Sequence, residues 1–240
     1  ANSADTDIAE HKRDVLQDVS FSIAKDDYVV VTGASGCGKS TMLKLLMGIY
    51  RPQTGTITVI LNDGTSIAIE NMKRLFAYVP QGNFLMGGSI RNVITFGKQR
   101  EDGDTDCSKT DCADRNRADR NDMDLDEKLE RAVHLACADF VYDLPMQLDT
   151  ILGEKGAGLS EGQMQRIAIA RALYADRPVL ILDESTSALD QQTERKLLDN
   201  LKQLTDKTVL FVSHRLQALE ICSKQLHFEE GMVQMKNKTE

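Results

Sequence analysis

The sequence predicts an α/β fold built on a mostly parallel sheet, and three observations predict it. An apolar run, DYVVVTG at 27–33, leads through a glycine-rich loop into the helical pattern KSTMLKLLMG, the order strand, loop, helix. Two later runs, PVLILDE at 178–184 and TVLFVSH at 208–214, carry no polar alternation. Strands of that kind lie in sheets covered on both faces, as parallel sheets are. With 240 residues and 41% hydrophobic content, the chain can bury one large core of this type.

The other elements follow in chain order. Met42, Leu43, Leu45, Leu46 and Met47 suit a buried helix that Gly48 closes. TITVILNDGTSIAI at 56–69 reads as two strands joined through Asp63 and Gly64, an antiparallel β flap beside the main sheet. LFAYVPQ at 75–81 is a short strand stopped by Pro80. Residues 98–124 are nearly free of large apolar side chains and contain ADRN twice, so they read as a polar, solvated loop or insertion. A helix pattern resumes from Leu125 to Tyr142, and LSEGQMQRIAIARAL opens another at Ser160 with capping-box spacing to Gln163. A further helix is expected from Gln191 to Leu204, and QLHFEEGMVQM suits a closing hairpin.

Bulk properties exclude several classes of partner. A formal net charge of -8 gives the whole chain no electrostatic reason to bind nucleic acid or an anionic bilayer. The longest apolar runs fall far short of the roughly 20 residues a membrane helix needs. Five cysteines, at 37, 107, 112, 137 and 222, are odd in number and irregular in spacing, which points to a reducing compartment. The first residues lack the order of a secretory signal. The insertion fails the calcium-loop pattern, because Cys107 stands where its glycine belongs, and Cys107 and Cys112 have no second close pair for zinc.

The chemistry concentrates in three places. GASGCGKST at 33–41 satisfies G-x-x-x-x-G-K-[ST] between a strand and a helix, the context of a P-loop NTPase core. Gly33, Gly36 and Gly38 let the backbone curl so that its N–H groups, with those of Ala34, Ser35, Cys37 and Thr41, surround phosphate oxygens. Lys39 brings a point charge to the β- and γ-phosphates, and Ser40 offers a hydroxyl to Mg²⁺. Asp183 and Glu184, at the end of a buried strand, can divide two tasks: Asp183 reaches the Mg²⁺ shell and Glu184 polarises the attacking water. A GTP switch would need N-K-x-D, and the nearest match, NKTE at 237–240, lacks the aspartate. LSEGQ, taken alone, is a well-started helix, yet its N-terminus is also a second place for an anion.

The phosphate loop, LSEGQ, LILDE, SALD at 187–190 and SHR at 213–215, in this order, resemble the nucleotide-binding domain of an ABC transporter across roughly Val15 to Gln234. The resemblance implies ATP and Mg²⁺ as ligands. It implies that Gln81 senses Mg²⁺ and the water, that His214 contacts the γ-phosphate and holds Glu184, and that Asp190 crosses a dimer interface. It further implies that Ser160 and Gly162, with Gln163 in the same binding set, meet ATP held by a second copy of the domain. GGSIRNVITFG at 87–97, LPMQLDTILGEKG at 144–156 and RIAIARAL resemble the exporter type. In that type the TILGEKG region touches the coupling helices of the membrane domains.

The implied organisation is a single domain over 1–240, with a catalytic α/β core at about 14–81 and 176–236. A helical subdomain at about 82–175 carries the signature. The implied partners are a second copy and the transmembrane domains of an exporter, with no nucleic acid, at the cytoplasmic face of the cell membrane. The alternative, a soluble ABC ATPase acting on nucleic acid or ribosomes, calls for a long coiled coil or a second cassette, and neither is present in the sequence. A non-catalytic cassette would need a damaged site, whereas Lys39, Asp183, Glu184 and His214 are intact. Three features depart from the family pattern. Glu161 replaces the commoner glycine, the insertion is long, and residues 1–13 contain no aromatic where relatives carry an adenine-stacking tyrosine, with Ile8 near that place.

Overall fold

A computed structural model describes residues 15–72, 74–82, 87–96, 115–153, 158–229 and 231–237. The apolar run after Asp27 forms β1 (Tyr28–Gly33), and the loop that follows opens α1 (Lys39–Leu46). Gly48 closes α1 in a left-handed conformation (φ 69°). Its N–H donates to Leu45, and that of Ile49 donates to Lys44, so the last carbonyls of the helix are satisfied. The flap is present as β2 (Thr58–Ile60) and β3 (Ser66–Ala68), an antiparallel pair outside the main sheet. The Asp63 carboxylate accepts from the Thr65 N–H at 2.9 Å and shapes their turn. Pro80 follows β4 (Phe76–Val79), as the sequence predicts.

The helical half begins with a short strand, β5 (Gly88–Ser89), and α2 (Ile90–Thr95), which the Ser89 hydroxyl caps. Next come α3 (Arg115–Leu135), two 3₁₀ turns at Asp139–Asp143 and Gln147–Asp149, β6 (Ile151–Leu152) and α4 (Glu161–Tyr174). The chain then forms β7 (Val179–Asp183), α5 (Gln191–Lys202), β8 (Thr208–Val212) and α6 (Leu216–Ile221). It closes with the hairpin β9 (Lys224–Glu229) and β10 (Met232–Asn237).

Six strands form one sheet in the order β10-β9-β1-β8-β7-β4, parallel throughout except for the β9/β10 edge pair. Both faces are covered. Val29, Val31, Ile181, Leu210 and Val212 pack with Met42 and Leu43 of α1 on one face. Val30, Val79, Leu180, Leu182 and Phe211 pack with Ile167 of α4 and Leu197 and Leu198 of α5 on the other. Burying each such side chain contributes about 1.5–3 kcal/mol.

The helix expected from Leu125 to Tyr142 differs at both ends. It starts at Arg115, inside the segment read as a polar loop, and stops at Leu135. Residues 115–124 contain neither glycine nor proline, so a helix is permitted there, but without apolar periodicity the sequence does not announce it. At the other end Cys137 turns left-handed (φ 53°), and Ala138 donates back to Val133. Ala136, Ala138 and Val141 remain buried beyond that break, which is why the apolar period runs on past the helix. Residues 1–13, 98–114 with Cys107 and Cys112, and 154–157 of the TILGEKG stretch lie outside the described residues. No helix among the described residues is long and apolar enough to cross a membrane.

Candidate active site

Four neighbouring parallel strands deliver the predicted chemistry to one edge of the sheet. The phosphate loop leaves the carboxyl end of β1, His214 follows β8, Asp183 ends β7 with Glu184 next, and Gln81 follows β4. Ligands of open α/β sheets bind outside the carboxyl ends of the strands. The loop demands its first glycine: at φ 142° a Cβ on Gly33 would stand 2.5 Å from the carbonyl oxygen of Phe228. α1 starts at Gly38 with no side-chain cap, which leaves the first N–H groups of the helix for a ligand. Lys39 is only 6% exposed, and its Nζ donates to the carbonyls of Gly33 at 2.7 Å and Ala34 at 2.8 Å. The ammonium group therefore lies inside the curl of residues 33–38. Ser40, one residue further, is exposed.

Asp183 is buried, and burial pushes its carboxyl above the usual carboxylate range; the neighbouring Glu184 adds to this, while Tyr78 and Lys39 oppose it. The Tyr78 hydroxyl donates to Asp183 Oδ2 at 3.0 Å. Glu184 takes a left-handed backbone (φ 48°), a conformation that costs a non-glycine residue of order 1–3 kcal/mol. Its N–H donates to Val212 at 3.1 Å, which anchors it to β8. Gln81 Nε2 donates to Glu184 Oε2 at 2.7 Å, and His214 Nε2 lies 3.8 Å from Glu184 Oε1. Gln81, Glu184 and His214 are thus brought together from three strands.

The start of α4 is built as the sequence spacing predicts. The Ser160 hydroxyl accepts from the Gln163 N–H at 3.2 Å, and Gln163 Oε1 accepts from the Ser160 N–H at 2.8 Å, a complete capping box. The hydroxyl proton of Ser160 is still available to donate, while the amide oxygen of Gln163 is committed to the cap. Leu159 and Met164 pack on the same core, one before the cap and one a turn inside it. Glu161 is exposed, at a helix start where negative charge is favourable. Gly162 sits against the loop before α5: a Cβ there would be 2.9 Å from the carbonyl oxygen of Ala188. Asp190 caps α5, accepting from the Thr193 N–H at 2.9 Å and the Thr193 hydroxyl at 2.6 Å. The hydroxyl bond, then the backbone bond, holds its carboxyl below the usual range.

Sequence reasoning missed several residues of this neighbourhood. Tyr78 could have been found from its place three residues before Gln81, but its bond to Asp183 depends on the β4/β7 register, which sequence does not give. Gln165 and Arg215, which hold residues 187–189, and Glu194, which holds Arg215, carried no signal beyond standing in or near the quoted motifs. The GGSIRN and TILG segments also proved to be one feature: β5 pairs with β6, and Ile90 donates to Thr150 at 3.0 Å.

The family model for the ABC transporter matches residues 16–187. The chain belongs to the ABC transporter family. This ABC domain is 35% identical over 223 residues to the lactococcin-G-processing and transport ATP-binding protein LagD of Lactococcus lactis, covering 92% of this chain and 29% of that protein. It is 37% identical over 224 residues to an ATP-dependent lipid A-core flippase of Vibrio cholerae, covering 92% of this chain and 35% of that one. Among solved structures, a bacterial Atm1-family ABC exporter with ATP bound aligns with a TM-score of 0.74 at 30% identity, over 95% of this chain and 36% of the other. The chain spans about a third of the length of the curated relatives it matches. It is a nucleotide-binding domain of exporter type, the ATP-binding and ATP-hydrolysing module of that family, and its similarities favour this over an ATPase that acts on nucleic acid.

Proposed function

We propose that two copies of this domain close head to tail around ATP and drive export through transmembrane partner domains at the cytoplasmic face of a membrane. The carrying observation is the placement of Glu184 between Gln81 and His214, beside Asp183 and on the same sheet edge as the Lys39 loop. Lys39 and the N–H groups of residues 33–41 bind the triphosphate. Glu184 takes a proton from water as the water oxygen bonds to the γ-phosphorus and the β,γ-bridging bond breaks. His214 orients Glu184 and reaches the γ-phosphate. Ser160 and Gly162 donate to the ATP held by the other copy, and Asp190 lies at the seam.

The donor set fits Mg²⁺. Ser40, Asp183 and the amide oxygen of Gln81, whose Nε2 is turned to Glu184, are all hard oxygens, and burial of the Asp183 carboxylate favours a nearby cation. No group of three His, Cys, Asp or Glu among the described residues could hold an ion alone. That agrees with an ion bound largely through nucleotide phosphates. When bound, it would neutralise charge on the β- and γ-phosphates.

For the transmembrane contact, exposed Ile151 in β6 and exposed Met146 shortly before it offer an apolar surface beside the β5/β6 pair. The division into a core at about 14–81 and 176–236 and a helical subdomain at 82–175 is part of the same reading. The test is sedimentation of Glu184→Gln with and without ATP, then with Ser160→Glu added. ATP should produce a dimer that the second change abolishes while nucleotide binding to the monomer persists. A dimer indifferent to Ser160→Glu would refute sharing of the ligand between copies.

A further inference from the structure

Arg215 follows His214 directly, and its side chain crosses to the loop before α5. Nη2 donates to the carbonyl of Ser187 at 2.7 Å, and Nη1 donates to the carbonyl of Leu189 at 3.0 Å. Glu194, fully buried in α5, fixes the guanidinium through a 2.6 Å contact to Nη1, and its other oxygen accepts from the Thr186 hydroxyl at 2.8 Å. From the opposite side Gln165, in α4, accepts from the Ala188 N–H at 3.1 Å and donates to the Ser187 hydroxyl at 3.1 Å. Every residue from 187 to 189 is therefore held, by a side chain beside His214 on one side and by the signature helix on the other. The contact between Gly162 and Ala188 extends this body to the first turn of α4.

A guanidinium is a planar fork that can bind two carbonyls and a carboxylate at fixed angles, whereas an ammonium is a point charge on a flexible stem. The fork thus links the backbone at 214–215 directly to the carbonyls of 187 and 189, a link that an ammonium could not keep at both. Resting on the reading that His214 meets ATP in its own copy while residues 160–162 and 190 face the other copy, we propose that Arg215 is a positioning residue. It couples the state of the nucleotide at one phosphate loop to the surface offered to the other. Glu194 and Gln165 are the two parts of its mount.

The experiment uses the full chain. In a Glu184→Gln background, Arg215→Met should raise the ATP concentration needed for dimerisation by a factor within the roughly 5- to 150-fold range of allosteric coupling. Affinity of the monomer for ADP should change less than about twofold. With Glu184 intact, the Hill coefficient of turnover should fall towards one. Arg215→Lys keeps the ion pair with Glu194 and should recover the thermal midpoint but not dimerisation, a split that a purely structural role would not give. Recovery of both together, or an unchanged dimer in Arg215→Met, would overturn the proposal. Should Arg215→Met not fold, Gln165→Met leaves the ion pair intact and must still weaken the dimer; an unweakened dimer there overturns the proposal as well. If the Glu184→Gln parent itself fails to dimerise with ATP, the head-to-tail reading falls and this proposal falls with it.

Discussion

Gln81 donates an amide hydrogen to Glu184 across 2.7 Å, while His214 stands 3.8 Å from the other oxygen of the same carboxylate. The carboxylate is therefore aimed from both sides, and its left-handed backbone is held by the bond to Val212. Replacing Glu184 with Gln removes the proton acceptor and changes little else in shape. Turnover should fall by roughly 10²- to 10⁴-fold with ATP binding retained. Phosphate release and calorimetric ATP titration check this, and fast release by a verified variant removes Glu184 from the base role.

Gly162 is a packing residue as well as a member of the signature. Alanine there gains at most about 1 kcal/mol of helix propensity, but its methyl meets the Ala188 carbonyl, and overpacking of this kind costs about 1–3 kcal/mol. A net loss of roughly 1 kcal/mol in urea unfolding, together with slower turnover, is expected. A stabilised variant with full turnover would contradict the close approach.

Asp176 accepts from Lys207 at 2.7 Å, and this hydrogen bond, followed by the charges of Lys207 and Lys128, holds its carboxyl below the usual range. A lowered folded-state pKa contributes stability above the unfolded value and loses it as pH falls through the folded one. Asp176 is half exposed, so solvent limits the effect to about 1 kcal/mol or less. Asp176→Asn keeps a side chain that tolerates φ 53°. It should cost stability at pH 7 and nothing once the pH is below both pKa values, as measured by denaturant melts across that range.

Cys37 lies in the phosphate loop, half-buried, with Sγ 3.8 Å from Lys39 Nζ, whereas Cys137 and Cys222 are buried. Alkylation at Cys37 should block nucleotide binding, and ATP should slow the modification. Mass spectrometry locates the adduct, with Cys37→Ser as control. Full ATP affinity after confirmed modification would refute the prediction.

Much of the core was legible because its strands are buried on both faces and read as unbroken apolar runs: β1, β7 and β8 fall where DYVVVTG, PVLILDE and TVLFVSH stand. The capping box of α4 was legible for a local reason, since Ser160 and Gln163 are three residues apart. The two-residue strands β5 and β6 were not, because their pairing spans more than 60 residues and neither carries a pattern of its own. Within the site, residues on motifs could be named, but Tyr78 meets Asp183 and Arg215 meets Glu194 only through register and crossing geometry. The start of α3 escaped because the sequence of residues 115–124 is almost entirely polar and leaves no apolar stripe to read.

Four of the site's components hang from adjacent, hydrogen-bonded strands of a sheet packed on both faces. Such an edge behaves as a stator: its spacings change little unless the core itself opens. Gln81 alone has stiff sheet on one side and the chain running towards the helical half on the other. Strands packed this firmly open rarely, and the slowest amide exchange should be found in β1, β7 and β8, behind the site.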